Sequence, residues 1–223
     1  MPQPAIKALL VDIGGVLLTN GWDTAMRRRA AEVFNLDFAE MDDRHHQIFD
    51  VYEEGKLTLD QYLARVIFFR ERLFTPEAVK SFMFAQSHPY LNMIELVRRL
   101  RERCGLRVAS VNNEGRELND YRIRTFHLAG FIDVFMSSCY VHMRKPDEDL
   151  YRLALDAVQA APQEAAYLED RPVFAEVAAG LGIRSILHTS YETTREALAA
   201  MGLATAAWAG ASAGCGDSGP NSD

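Results

Sequence analysis

Short apolar runs rich in Val, Ile and Leu recur along the chain at residues 6–12, 106–111, 133–137, 165–169 and 183–188. Between them lie stretches with apolar positions at helical spacing, at about 91–103, 118–128, 148–159, 172–181 and 193–201. A parallel strand is buried on both faces and so reads as a nearly continuous apolar run. Its alternation with amphipathic helices is the pattern of a parallel sheet covered on both sides. Gly105 and Gly182 fall where helices should stop. The pattern predicts an α/β fold with about five parallel strands.

The alternation breaks after the first strand, where some 70 residues show helical periodicity and no strand. Trp22, Met26, Ala30 and Val33 fit one helical face, and Met41, His45, Ile48 and Tyr52 a second, ended by Gly55. Leu59, Tyr62, Val66, Phe69 and Leu73 fit a third. Thr58 with Gln61 reads as a capping box, and Thr75, Pro76 and Glu77 as a cap, a first-turn proline and a first-turn acid. The expected organisation is a core of residues 1–14 and 89–203, an all-helical insertion over 15–88, and a tail over 204–223. An insertion at that point lies over the carboxyl ends of the strands, where open α/β sheets bind ligands. The tail, rich in Ala, Gly and Ser, has too few large apolar residues to pack and is expected to be disordered; it contains Trp208 and Cys215.

Composition narrows the function classes. A net charge of -7 disfavours non-specific attraction to nucleic acid or anionic membrane. No apolar run approaches the ~20 residues of a membrane span. Three widely spaced cysteines, Cys104, Cys139 and Cys215, form no CxxC pair and indicate neither a disulfide framework nor a zinc ribbon. Residues 1–7 lack the features of a signal peptide, and the chain reads as cytoplasmic.

The ends of successive strands carry the candidate chemistry. Asp12 follows the first, and Gly14 and Gly15 allow backbone amides to approach an anion. Asn112 and Asn113 end the second and offer amide donors before a helix. After the third strand comes Lys145, directly before Pro146, a point charge suited to a phosphate. Glu169 and Asp170 end the fourth as oxygen ligands suited to magnesium, and Asp170 also fits a helix cap into Pro172. Gly14 and Gly15 lead into Val16, Leu17 and Leu18 without the GxGxxG spacing of a dinucleotide site. His45 and His46 have no spaced partner for zinc.

In this order and spacing the chain resembles the haloacid-dehalogenase-like hydrolase superfamily, in the branch with a helical cap inserted after the first core strand. DIGGVLL at 12–18, RVASVNN at 107–113, MRKPDEDLYRLAL at 143–155 and YLEDRPVFAEVAAGLGI at 167–183 are similar to its four motifs. The resemblance implies a Rossmann-like core and a magnesium-dependent phosphatase acting on a small phosphorylated substrate through an aspartyl-phosphate. It implies Asp12 as nucleophile and Mg2+ held by Asp12, Asp170 and the Gly14 carbonyl. Lys145 and Asn112 would neutralise the phosphoryl oxygens, with Asn113 beside them.

Two positions depart from that pattern. Family phosphatases usually carry a second Asp two residues after the nucleophile, where this chain has Gly14. Proton transfer by such a group contributes ~10² to 10⁴ in rate, so its absence weakens catalysis and favours good leaving groups such as acyl, aryl or anomeric phosphates. Asn112 stands where Ser or Thr is usual. His142 is a candidate replacement proton donor, and Glu53 and Glu54 lie at a turn able to reach the site. Three readings stay open: a phosphatase, a haloacid-type dehalogenase anchoring a carboxylate through Arg27, Arg28 or Arg29, and a degenerate relative that binds a phosphorylated ligand or a protein without turnover.

Overall fold

The computed structural model describes residues 4–203; the expected tail over 204–223, with Trp208 and Cys215, lies outside the described residues. Five strands, β1 (Ala8–Val11), β2 (Arg107–Asn112), β3 (Val134–Ser137), β4 (Ala165–Glu169) and β5 (Arg184–Leu187), form one parallel sheet in the order β3-β2-β1-β4-β5. The first strand is central because its four residues are buried on both faces. Leu9 and Val11 face one cluster with Met93, Leu96, Val97 and Leu198. Ala8 and Leu10 face the opposite cluster with Leu150, Tyr151, Ala154 and Ala178. Each fully buried Leu contributes about 1.5–3 kcal/mol, so this alternation holds the register of the strand that carries Asp12.

Ten α-helices accompany the strands among the described residues. Between β1 and β2 run α1 (Thr24–Val33), α2 (Phe38–Glu53), α3 (Leu59–Val66), α4 (Pro76–Ala85) and α5 (Leu91–Cys104). The rest are α6 (Arg116–Thr125), α7 (Ser138–Val141), α8 (Glu148–Val158), α9 (Pro172–Gly180) and α10 (Tyr191–Ala200). Gly105 caps α5 at positive φ, and the expected helix at 118–128 ends at Thr125 because His127 is left-handed, after which a 3-10 turn buries Leu128.

Helices α1 to α4 share their own core of Ala31, Met41, Tyr52, Leu59, Tyr62, Val66 and Met83. The Thr58–Gln61 capping box and the Thr75 cap with Pro76 in the first turn form as the spacing predicts. Two expected faces are corrected. Val33 is 59% exposed, and Ala30, Ala31 and Arg27 carry the buried face of α1 instead. The third stripe stops at Val66; Leu73 is fully exposed and Phe69 receives the Arg44 guanidinium at 3.5 Å from its ring centre. Ile67, Phe68 and Phe74 supply the packing after the chain leaves the helix.

The helical insertion is tied to the sheet at both crossings. Thr19 N donates to His88 O at 2.9 Å and Tyr90 N to Leu17 O at 2.9 Å. The end of α2 also docks on the core, where Ser138 Oγ donates to Glu53 O at 2.6 Å, and Leu59 N donates to Glu117 Oε1 at 2.9 Å. Cys104 and Cys139 are free thiols. Among the described residues no helix is long and apolar enough to cross a membrane.

Candidate active site

The central strand delivers Asp12 to the carboxyl edge of the sheet, where it is buried. Its Oδ1 accepts from Ile13 N at 2.8 Å, and its Oδ2 lies 3.0 Å from Lys145 Nζ. A tight loop follows, closed by Leu17 N and Leu18 N donating to Ile13 O. Gly15 within it has φ +76°, and a Cβ there would run into the Asp170 carboxylate. Only glycine meets both demands.

Lys145 is 1% exposed and lies between two carboxylates, with Nζ 2.7 Å from Glu169 Oε2 as well. Burial opposes its charge, yet Asp12 and Glu169 outweigh burial and hold it above the ordinary lysine range. Both Glu169 oxygens are occupied: Oε2 accepts from Lys145 and from the Tyr167 hydroxyl, and Oε1 accepts from Arg171 N at 3.0 Å. Glu169 is held below the usual range, its burial outweighed by Lys145, whereas burial pushes Asp12 well above it against the pull of Lys145.

Ligand oxygens of Asp12, Glu169 and Asp170 lie within 4.8 Å of one another. The expected capping role of Asp170 is corrected: the cap position of α9 is Arg171, without a side-chain hydrogen bond. Asp170 Oδ1 is buried with no partner. Burial and the neighbouring Glu169 raise the carboxyl to about 6, against the Asn20 amide and Arg171. A partnerless buried oxygen is costly, and one lysine against three carboxylates leaves negative charge over. An oxygen-only donor set with that excess fits a small hard divalent cation.

The other expected residues are arranged differently. Asn112 Oδ1 accepts from Ser137 Oγ at 2.9 Å and its Nδ2 donates to Asn119 Oδ1 at 3.0 Å, which leaves one N–H for a ligand. Asn113 clamps the loop to the Lys145 backbone: Oδ1 accepts from Lys145 N at 2.8 Å and Nδ2 donates to Lys145 O at 3.0 Å, while the residue also lines the cavity. His142 lies outside the cavity lining, its Nδ1 2.6 Å from Glu54 O at the end of α2.

A cavity of about 230 Å³ opens over Asp12, and the helical insertion lines its far side. Arg27 is the one arginine of its triplet that lines it, and Asp42 neutralises it at 2.7 Å. Glu53 also lines it; Oε2 accepts from Arg144 Nη2 at 2.7 Å, while burial raises the carboxyl against that pull. The Trp22 indole donates to Tyr62 Oη at 2.8 Å, and Tyr62 Oη lies 2.7 Å from His45 Nδ1. An indole can only donate, so the Tyr62 hydroxyl donates its hydrogen bond to Nδ1, which satisfies all three groups and leaves His45 Nε2 carrying the proton. Burial, with Arg27, lowers His45 to about 3 and keeps it neutral.

Sequence reasoning missed Asn20, Glu114 and Arg122. Asn20 Oδ1 stands 2.7 Å from where a Cβ on Gly14 would be, and Arg122 Nη1 3.8 Å from it. Arg122 is 3% exposed and pairs with Glu114 Oε2 at 2.8 Å. The nearest signal was the position of Glu114 directly after Asn112 and Asn113, which reads locally as part of a turn.

The fold and this strand-end cluster define a Rossmann-like α/β protein with a carboxylate and lysine site at the carboxyl edge of its sheet. The chain belongs to the haloacid dehalogenase-like hydrolase family, whose pattern matches residues 6–182. It is 26% identical over 193 residues to a phosphorylated carbohydrates phosphatase of Thermotoga maritima, covering 81% of this chain and 84% of that one. Over 61 residues it is 36% identical to the bifunctional epoxide hydrolase 2 of Sus scrofa, covering 27% of this chain and 11% of that protein. The fold is shared with a magnesium complex of a family enzyme from Bacteroides thetaiotaomicron, with a TM-score of 0.71, 19% identity and coverage of 83% and 94%. It is also shared with an L-2-haloacid dehalogenase, with a TM-score of 0.62, 17% identity and coverage of 83% and 87%.

Proposed function

We propose that this hydrolase is a magnesium-dependent phosphatase of small phosphorylated metabolites, with Asp12 as the nucleophile. The observation that carries the reading is Lys145 Nζ at 3.0 Å from Asp12 Oδ2, beside the partnerless oxygen of Asp170. Asp12, Asp170 and the Gly14 carbonyl would hold Mg2+, which when bound would draw charge from the phosphoryl oxygens. Glu169 keeps Lys145 in place and charged and is not needed as a ligand. The remaining Asn112 N–H and the Lys145 ammonium meet the phosphoryl oxygens.

Asp12 forms a bond to phosphorus as the ester oxygen departs, and water then releases phosphate from the aspartyl-phosphate. Residues 15–88 act as a cap on the core of 1–14 and 89–203, excluding bulk water and choosing the substrate. Trp22, Phe49 and Tyr52 among the polar lining of the cavity, and the name of the Thermotoga relative, support a phosphorylated carbohydrate. The pairing of Arg27 with Asp42 weakens the dehalogenase reading, because no cavity arginine of that triplet is left to anchor a carboxylate.

Release of phosphate from p-nitrophenyl phosphate, with and without magnesium, tests the proposal. Metal-dependent release lost in Asp12→Asn is the expected result. Halide release from short haloacids would support the dehalogenase instead, and neither release, with retained binding of phosphorylated ligands, the degenerate relative.

A further inference from the structure

The place where family members carry an acid two residues after the nucleophile holds the tip of Asn20 in this chain. Gly14 offers no side chain, and Asn20 Oδ1 fills the volume one would enter. The next group along the cavity wall is Arg122 Nη1, and its partner is the carboxylate of Glu114. Resting on the phosphatase reading, we propose that Glu114 performs the proton transfers that position 14 lacks, first to the leaving oxygen and then from the attacking water.

The surrounding contacts hold Glu114 at this point of the wall. Its N–H donates to Ser138 Oγ at 3.0 Å, and Ser138 Oγ donates to Glu53 O at 2.6 Å, so the residue sits at the seam between core and insertion. One residue earlier, the Asn113 clamp fixes the loop to the backbone of Lys145. Arg122 is itself immobilised by Ser87 Oγ at 3.0 Å and Thr19 O at 3.0 Å, and so keeps the carboxylate facing the shared cavity. Gly115 has no side chain, because a Cβ there would strike the Tyr52 ring.

The charged and titratable groups that face Glu114 are Arg122 on α6, Glu53 and Tyr52 on α2, and Cys139 on α7. Burial and Glu53 raise its carboxyl to about 7, against Arg122 and the Gly115 amide. It is therefore present in both protonation states near neutral pH, as an acid that must give and retake a proton requires. In the first step the Asp12–phosphorus bond forms, the bond from phosphorus to the ester oxygen breaks, and that oxygen takes the Glu114 proton. In the second, the carboxylate accepts a proton from water as it bonds to phosphorus, and the Asp12–phosphorus bond breaks.

The test is kcat/KM from pH 5 to 9, with saturating magnesium, for aryl phosphates of rising phenol pKa and for an alkyl phosphate, in wild type, Glu114→Gln, Glu114→Asp and Glu53→Gln. Glu114→Gln should lose roughly 10²-fold or more on the alkyl phosphate, under about tenfold on p-nitrophenyl phosphate, and its pH limb near 7. Glu114→Asp should recover part of the alkyl activity and shift that limb. An equal loss on all leaving groups, or the same leaving-group response in Glu53→Gln alone, overturns the proposal. If Glu114→Gln does not fold, the same pH limb and leaving-group dependence compared between wild type and Glu114→Asp decide it. A wild type that releases no phosphate from any ester sinks the phosphatase reading itself, whereas wild-type release with a leaving-group response that Glu114→Gln leaves unchanged sinks only the role of Glu114.

Discussion

Asn20 Oδ1 lies 2.7 Å from the point where a Cβ on Gly14 would stand. The glycine two residues after Asp12 is therefore part of a packed arrangement. Gly14→Asp should not raise activity: the tip of Asn20 must turn aside to admit the new side chain, which should lower stability by about 1 kcal/mol or less. Gly14→Asp with Asn20→Ala should recover most of that stability. Denaturant melts of the three proteins check this, and an active, fully stable single variant would refute it.

Lys145 balances Asp12 and Glu169 together. Lys145→Met leaves two buried carboxylates without their cation and should cost about 3–5 kcal/mol, with loss of phosphate release. Adding Glu169→Gln should restore part of the stability but none of the activity. A double-mutant cycle by urea unfolding measures the coupling.

The partnerless Asp170 oxygen predicts stabilisation by magnesium that needs no turnover. At a hundredfold excess over the dissociation constant, the folded state gains about 2.7 kcal/mol. Thermal melts should rise with magnesium in wild type and not in Asp170→Asn, and chelation should reverse the rise. An equal rise in the variant would remove Asp170 from the metal site.

His45 predicts a pH dependence of stability. Its folded value near 3 lies below the ordinary 6.5, so the unfolded chain binds the proton first. The contribution is complete above about 6.5 and falls by about 1.4 kcal/mol per pH unit below it. His45→Gln should flatten the loss of stability between pH 7 and 5; an unchanged slope would show that His45 does not titrate as its burial requires.

The five strands, the helices between them and the helical insertion after Asp12 were legible in the sequence, because burial on one or two faces imposes a local period. Thr58, Gln61, Thr75 and Pro76 were legible for the same reason: caps depend on neighbours three or four residues away. The order of polar strand ends, Asp12, Asn112, Lys145 and Asp170, was legible too, since a parallel sheet gathers its carboxyl ends.

Which atoms meet there was decided only by the tertiary structure. The period of Leu59, Tyr62, Val66, Phe69 and Leu73 continues past the point where the chain leaves the helix, because Ile67 and Phe68 find better burial against Phe74 and the insertion core. Asn113 binds the Lys145 backbone and His142 a carbonyl of the insertion, pairings across 32 and 88 residues that no local pattern encodes. Asn20 against Gly14 and Arg122 with Glu114 depend on side-chain directions set by packing. Periodicity determines which face of an element is buried; only the folded chain determines what each polar group on that face finds opposite it.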